Sequence, residues 1–328
     1  MVYASTDGLV LSKQFSNYDE LAESVKGWDL DFCQLDAGSS PTGLFQCQTE
    51  HSQLNAASLS RRYHQCGSAP TGLTFAFLDE HVKQLNWLNR NVDSTSLLVY
   101  RDQGEIDCVS SQGFRVYTLT YDAEMLKQLE EKLHSSSQTG KITRASTALN
   151  VDQNLILHIR NHLKHLVSHL QQYPNTLGQA SLRNELENEI PRKIIQMLGA
   201  GDDKNPIASP RIRSQALKRA LEVIDATVQE GISIDALCQY CGVSDRTLDY
   251  AFRDRFGKTP AAYIKARRLH KVRYRLKELR GTDIRITDVA NGWGFWHMGQ
   301  FAADYRKYFG ELPSETVNGL RASSDMHH

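Results

Sequence analysis

Residues 233–252 read SIDALCQYCGVSDRTLDYAF, and residues 285–305 read RITDVANGWGFWHMGQFAADY. Each pattern predicts a short helix, a tight turn at a glycine (Gly242 or Gly294) and a second helix. A further glycine and then a proline follow each stretch. The two stretches therefore predict one helix-turn-helix unit in two copies, an arrangement suited to reading DNA twice.

The second helix of the first unit has an apolar face and a polar face. Leu248 and Phe252 are expected to face the core, because side chains four residues apart share one side of a helix. Ser244 is positioned to cap this helix. We expect the opposite face to contact bases in the major groove, and its residues are Asp245, Arg246, Asp249 and Tyr250.

The second unit repeats this pattern, with Phe301 and Tyr305 as core anchors. Gln300 can pair with adenine through two hydrogen bonds, worth roughly 1–3 kcal/mol of discrimination. The rest of the outward face is poor in hydrogen-bonding groups, so we expect this unit to depend more on DNA shape and phosphate contacts. Its predicted base-contacting residues are His297, Met298, Gln300 and Ala303.

A basic helix is predicted between the two units. Residues 260–280 contain eight Lys and Arg residues but one Glu, and Thr259 and Pro260 suit the start of a helix. Such a helix is about 30 Å long, close to one DNA turn of about 34 Å, so it can hold two recognition helices in successive major grooves. The predicted phosphate contacts of the whole region are Ser244, Arg253, Lys258, Arg267, Arg268, Arg306 and Lys307.

Residues 216–321 resemble the DNA-binding domain of AraC/XylS family transcription regulators. The resemblance rests on the motifs Ile234-Asp-Ala-Leu-Cys, Phe256-Gly-Lys-Thr-Pro260, Ile286-Thr-Asp-Val-Ala290, Trp293-Gly-Phe295 and Tyr308-Phe-Gly310. It implies two helix-turn-helix subdomains bridged by a long helix. It also implies an N-terminal domain that binds an effector, dimerises or does both. The family's base-contacting positions fall on Arg246, Asp249, Tyr250, Met298, Gly299, Gln300 and Ala303.

Two positions depart from the family pattern. Arg285 and Trp296 stand where a small polar capping residue is usual. Trp296 has two interpretations, a packing residue or a residue that reaches the DNA backbone. Residues 294–305 are similar to the branch that includes ethanolamine-operon regulators, but the ligand of that branch is not carried over, because the ligand domain lies elsewhere in the chain.

The chain before residue 200 is predicted to form a separate domain. Up to about residue 122, short apolar runs between turn residues favour a small β-barrel or sandwich, and residues 123–198 favour helices. Glycine, proline and polar residues mark a linker. We therefore expect an α+β chain with a regulatory and dimerisation domain over 1–200, a linker over 201–210, an all-α double helix-turn-helix domain over 211–321 and a tail over 322–328.

A helix predicted over residues 154–172 carries two stripes. Apolar residues at steps of four, three and four form the predicted dimer interface, namely Ile159, Leu163, Leu166 and Leu170. Beside them lie His158, His162, His165 and His169. This second stripe is interpreted as the polar flank of an amphipathic helix, a pH-sensitive dimer seam or a metal site. The first interpretation is favoured because no cysteine or carboxylate in the helix joins the histidines.

The composition excludes several classes of protein. No apolar run of about 18 residues predicts a membrane span, and the N-terminus lacks the basic start and apolar core of a secretory signal, so we expect a cytoplasmic protein. Six scattered cysteines, including Cys238 and Cys241 in a CxxC, are expected to be free thiols. Because no compact metal-binding pattern is present, we expect no metal and no cofactor.

Charge is unevenly placed along the chain. Residues 211–328 carry 20 Lys and Arg against 14 Asp and Glu, a net +6, which leaves 18 basic and 24 acidic residues, a net −6, in the rest. This asymmetry favours double-stranded DNA as the partner of the basic part. The other expected partners are a second copy of the chain, an unidentified small-molecule effector and, as a further candidate, RNA polymerase.

The predicted function is that of a sequence-specific DNA-binding regulator of transcription, such as an activator, and not an enzyme. The alternative is an enzyme tethered to DNA, of the repair or β-barrel oxygenase type. That alternative needs a reactive cysteine with a polar partner, or a set of metal ligands on strands.

Overall fold

The computed structural model describes residues 2–5, 8–133, 146–200, 211–229, 231–279, 282 and 285–318. The chain divides into two compact units, one made of Met1–Phe32 and Pro41–Ser209 and the other of Cys33–Ser40 and Pro210–His328. Antiparallel sheets dominate the first unit and helices the second, which confirms the predicted α+β fold class. The predicted linker 201–210 and tail 322–328 lie outside the described residues.

The strands of the described chain belong to two sheets. In chain order they are β1 (Val2–Ser5), β2 (Gly8–Phe15), β3 (Asp29–Gln34), β4 (Thr42–Gln48), β5 (Ser52–Leu59), β6 (Tyr63–Ser68), β7 (Leu73–Leu78), β8 (Leu85–Trp87), β9 (Arg90–Val92), β10 (Ser96–Tyr100), β11 (Glu105–Val109), β12 (Phe114–Tyr121) and β13 (Thr147–Asn150). The larger sheet has the order β1-β2-β4-β5-β12-β7-β10-β13, and the smaller has the order β3-β6-β11-β8-β9.

The larger sheet is covered on both faces. Along β7, Phe75 and Phe77 join a core shared with helices, whereas Ala76 and Leu78 line a cavity on the other face. This division follows from the alternation of side chains along a strand. Since both faces are covered, every residue of β7 is buried, and the strand is apolar at every position except Thr74 rather than alternating.

In chain order, one helix of the first unit lies between β2 and β3, and the others come after β12. They are α1 (Tyr18–Ser24), α2 (Ala123–Lys132), α3 (Gln153–Gln172), α4 (Ala180–Asn184) and α5 (Ile190–Ala200), with a 3₁₀ turn at Pro174–Gly178 and a π turn at Glu185–Glu189. Strand β13 lies where the sequence predicted only helix, and it extends the larger sheet by pairing with β10. Pro191 comes directly after the π turn, so the helix accommodates the missing backbone donor near the start of α5.

The predicted dimer interface is corrected by the structure. Ile159, Leu163, Leu166 and Leu170 are all buried in the core between α3 and the larger sheet. Side chains that the chain buries itself are unavailable to a second copy. The stripe therefore belongs to the core of this unit, and the exposed side of α3 carries His158, His165 and His169 instead.

The second unit is helical. Its helices are α6 (Arg211–Thr227), α7 (Ile234–Cys241), α8 (Asp245–Phe256), α9 (Pro260–Glu278), α10 (Ile286–Gly292), α11 (Met298–Phe309) and α12 (Pro313–Asn318). Residues 33–40 also belong to this unit, where the Tyr308 hydroxyl donates a hydrogen bond to the Gln34 carbonyl at 2.5 Å. None of the described helices combines the length and the apolar character needed to cross a membrane.

Candidate nucleic-acid interface

The first helix-turn-helix is held together by caps and one aromatic core. Ser244 accepts a hydrogen bond from the Thr247 N–H at 3.2 Å and so caps α8. Gly242 has φ +67°, a left-handed conformation that glycine adopts without strain. Phe252 packs against Tyr263 of α9, with ring centroids 5.4 Å apart. These contacts fix the direction in which the other face of α8 points.

The outward face of α8 matches the predicted base-contacting residues. Arg246 and Tyr250 are exposed, and the Arg246 guanidinium lies 5.6 Å from the centre of the Tyr250 ring. Asp249 is half-buried and pairs with Arg253, with 2.6 Å between Oδ2 and Nε. The predicted residues Ser244 and Asp245 at the start of the helix are also exposed. The face therefore offers hydrogen-bond donors and acceptors from a rigid helix.

The second recognition helix, α11, begins without a side-chain cap. His297 occupies the capping position but accepts no hydrogen bond through its side chain, and Arg285 does not cap α10 either. Trp296 is 72% exposed, so the interpretation as a packing residue is wrong and its indole is accessible from solvent. His297, Gln300, Ala303, Arg306 and Lys307 are exposed along or beside α11, and Met298 is half-buried.

A salt bridge ties α11 to the connecting helix α9. The Lys265 Nζ lies 2.6 Å from Asp304 Oδ2. Burial raises the pKa of the Asp304 carboxyl, but hydrogen bonds from Lys265 and Gln300 and the charges of Lys265 and Lys307 outweigh it. The net pKa lies below the usual value, so Asp304 is ionised at neutral pH and orients Gln300, the predicted adenine reader.

Arg267 is not a phosphate contact. Its side chain is 4% exposed, and its guanidinium pairs with Asp225, with 2.6 Å between Nη2 and Oδ1. The prediction is wrong because a count of basic residues in a helix does not say which of them face the core. Arg268 is half-buried and donates from Nε to the Val228 carbonyl at 3.2 Å, and burial lowers its pKa.

Arg273 is a second inward-facing arginine that the sequence analysis missed. Its Nη1 lies 2.5 Å from Glu311 Oε1 and 3.4 Å from the hydroxyls of Tyr305 and Thr316. Burial raises the pKa of Tyr305 to about 12. This buried cluster joins α9 to the end of the second helix-turn-helix.

Of the predicted phosphate contacts, Ser244, Arg253, Arg306 and Lys307 are exposed, and Lys258 is half-buried.

The CxxC cysteines belong to the core of the first helix-turn-helix. Cys238 and Cys241 are buried free thiols. Burial is the largest cause that raises the pKa of each, with the carboxylates of Asp245 and Asp235 adding to the effect at Cys238. A raised pKa keeps a thiol protonated and unreactive.

The match to a protein-family model lies within this second unit. A protein-family model described as a helix-turn-helix domain matches residues 237–319. The XylDLEGF operon transcriptional activator 3 of Pseudomonas putida is 29% identical over 170 residues, which cover 48% of this chain and 50% of the relative. The XylDLEGF operon transcriptional activator 2 of the same organism is 41% identical over 102 residues, covering 31% of this chain and 64% of the relative.

A similar solved structure is the crystal structure of a probable AraC family transcriptional regulator from Rhodopseudomonas palustris. It is 36% identical and covers 32% of this chain and 97% of that chain, with a TM-score of 0.30. The chain spans about half the length of the first of these curated relatives. The similarity to ethanolamine-operon regulators finds no support among these relatives and stays a prediction.

Proposed function

We propose, from the premise that this chain belongs to the AraC/XylS family of transcription regulators through its C-terminal helix-turn-helix domain, that it binds a specific DNA site as a homodimer. In this proposal the first unit responds to a small molecule and the second reads DNA. The relatives are transcription regulators, which supports a regulatory rather than an enzymatic role.

One observation carries the proposal: a single helix, α9, packs against parts of both helix-turn-helix units. Tyr263 near its start packs on α8, and Arg273, ten residues later, donates a hydrogen bond to the Tyr305 hydroxyl of α11 at 3.4 Å. Lys265 also pairs with Asp304 of α11. The 19 residues of α9 span about 29 Å at 1.5 Å per residue. Both recognition helices expose polar residues. We therefore propose that each helix enters one of two successive major grooves on the same face of the DNA.

Phosphate contacts are proposed at the edges of both recognition helices. Because Arg267 is buried, five basic residues remain among the predicted phosphate contacts. They are Arg253, Lys258, Arg268, Arg306 and Lys307. The start of α11 adds backbone N–H groups that are not capped by the side chain of His297 at the capping position, and such groups favour a phosphate oxygen. Trp296 stands beside this helix start and is proposed to lie against the DNA backbone.

A small, uncharged and mainly apolar effector is proposed for the first unit. A cavity of about 80 Å³ lies between the two sheets, so it has room only for a small ligand. Among the residues that the structure describes, its lining contains no lysine, arginine, histidine, aspartate or glutamate. Burial raises the pKa of the lining residue Tyr100 well above its usual value, so the phenol is neutral. A charged ligand would therefore lack a counter-ion there.

The lining also contains a polar side chain with fixed partners. The amide of Asn55 donates to Gln53 Oε1 and to Thr118 Oγ1, both at 3.1 Å, and accepts from Gln46 Nε2 at 2.8 Å. These fixed partners orient the amide on one wall of an otherwise apolar cavity, a pattern typical of small-molecule sites.

For the proposed homodimer, α3 offers a second copy only its outer, histidine-bearing face, because its apolar stripe is buried.

The function is tested by gel shift with the full-length protein, using its gene's upstream region and random duplexes of equal length. We expect the upstream fragment to be retained preferentially. Five phosphate-contacting cations in each chain, or about ten in the proposed homodimer, predict a slope of about −9 for log affinity against log salt, a loss of roughly 10⁵-fold between 50 and 200 mM salt. An absence of retention for both DNAs at 50 mM salt would contradict the proposal.

A further inference from the structure

A histidine, a cysteine and an aspartate side chain meet on the smaller sheet, in the first unit of the chain. In the antiparallel pair β6 and β11, Cys66 stands opposite Asp107 and His64 stands opposite Val109. His64 and Cys66 are two residues apart on one strand, so they share a face. Gln65 and Cys108, which line the cavity, alternate with these residues. The three side chains therefore lie on the face of the sheet that turns away from the cavity.

The three side chains converge on one point. His64 Nε2 lies 2.8 Å from Asp107 Oδ1 and 3.2 Å from Cys66 Sγ. One ligand atom from each residue lies within 4.8 Å of the other two. A Cys-His-Asp proton relay places the thiol and the carboxylate on opposite nitrogens of the imidazole. Here both groups approach Nε2 most closely, so the geometry favours chelation of one ion rather than a relay.

We propose that His64, Cys66 and Asp107 bind a single Zn²⁺ ion. Thiolate and imidazole ligands favour a borderline transition metal and disfavour Mg²⁺ and Ca²⁺, which prefer oxygen. Tetrahedral zinc with bonds of about 2.0–2.3 Å separates its ligand atoms by about 3.3–3.6 Å. The two contacts of His64 Nε2 reach this geometry if the side chains move by roughly half an ångström. Binding converts the Cys66 thiol to a thiolate and releases its proton to solvent.

The burial of the cluster suits an open zinc site. The His64 side chain is 3% exposed and the Asp107 side chain 19% exposed, while Cys66 is half-buried. The histidine is therefore held in place by its surroundings, and the other two ligands border solvent, which gives the ion a route of entry. Three protein ligands leave the fourth tetrahedral position for water or an exogenous ligand.

The site is tested on the full-length protein after treatment with a chelator. Equilibrium dialysis against Zn²⁺, followed by elemental analysis, is expected to give one more bound zinc per chain in the wild type than in Cys66→Ser. Loss of one ligand is expected to weaken binding by at least about 100-fold. With Co²⁺ as the probe, the wild type is expected to show thiolate-to-cobalt absorption in the near ultraviolet, and Cys66→Ser is expected to lack it.

Two control variants separate this site from other histidines and cysteines. Cys108→Ser changes the residue beside Asp107 on the opposite face, and His51→Gln changes an exposed histidine. Both are expected to retain the zinc. Circular dichroism of each variant checks that it is folded. Equal zinc content in wild type and folded Cys66→Ser, or wild-type protein without thiolate-to-cobalt absorption, would overturn the site. Because no DNA is present, neither result bears on the gel-shift test.

Discussion

Leu163→Arg is expected to unfold the first unit of the chain. Leu163 is completely buried at the middle of α3, in the core between that helix and the larger sheet. An arginine there places a charge without a partner in an apolar core, one of the few changes that cost more than about 4–5 kcal/mol. Since domains are stable by only about 5–15 kcal/mol, most or all of the free energy of unfolding would be lost. Thermal unfolding followed by circular dichroism measures this.

The matched control is His165→Arg, which introduces the same side chain two residues later on the exposed side of α3. Its midpoint of unfolding is expected to stay close to that of the wild type. If Leu163→Arg instead remained fully folded with an unchanged midpoint and became a monomer in light scattering, the apolar stripe would be a dimer interface after all. The burial of Leu163 within one chain would then be misassigned.

Arg246→Ala is expected to relax the choice of base at one position of the DNA site. Arg246 is exposed on α8 and lies over Tyr250, which restricts its guanidinium before DNA arrives. An arginine that makes two hydrogen bonds to guanine discriminates by roughly 1–3 kcal/mol, or about 5- to 150-fold in affinity. Binding titrations against duplexes that vary one base pair at a time measure the loss.

Arg253→Ala is the comparison for Arg246→Ala, because it removes the same side chain from the same helix at a predicted phosphate contact. It is expected to weaken binding to all duplexes equally and to make the salt slope shallower by about 0.9 for each chain bound, or about 1.8 for the homodimer. If Arg246→Ala also weakened all duplexes equally, Arg246 would contact the backbone. The face of α8 that reads bases would then have to be reassigned.

The second unit was largely predictable from the sequence because its signals are local. Ser244 and Thr259 cap their helices through hydrogen bonds to N–H groups three residues later. Gly242 and Gly294 have positive φ at the predicted turns. Each of these features depends on a few consecutive residues, so the pattern alone indicates it.

The errors came from side chains whose partners are distant in sequence. The stripe containing Leu163 predicted an apolar face correctly, but the spacing cannot say whether a sheet of the same chain or a second copy covers it. Arg267 pairs with Asp225, 42 residues earlier, and Arg273 with Glu311, 38 residues later. The sequence of a basic helix therefore does not show which of its arginines are buried. That depends on which helices pack against it.

The candidate zinc site was missed for a related reason. A compact metal-binding pattern has its ligands close together in the sequence, and these three residues do not form one. Here His64 and Cys66 share a strand, but Asp107 joins them only through the register of β6 with β11. The available signal in the sequence was a histidine and a cysteine two residues apart, and the pairing of β6 with β11 adds the aspartate.

Hydroxyl-radical footprinting of the full-length protein on its upstream DNA site tests the central claim most directly. The account predicts, for each chain bound, two protected patches on the same face of the duplex with centres about 10–10.5 base pairs apart. Arg246→Ala should weaken one patch and Gln300→Ala the other. A single patch for each chain, or two patches on opposite faces, would contradict a helix α9 that holds two recognition helices in successive major grooves.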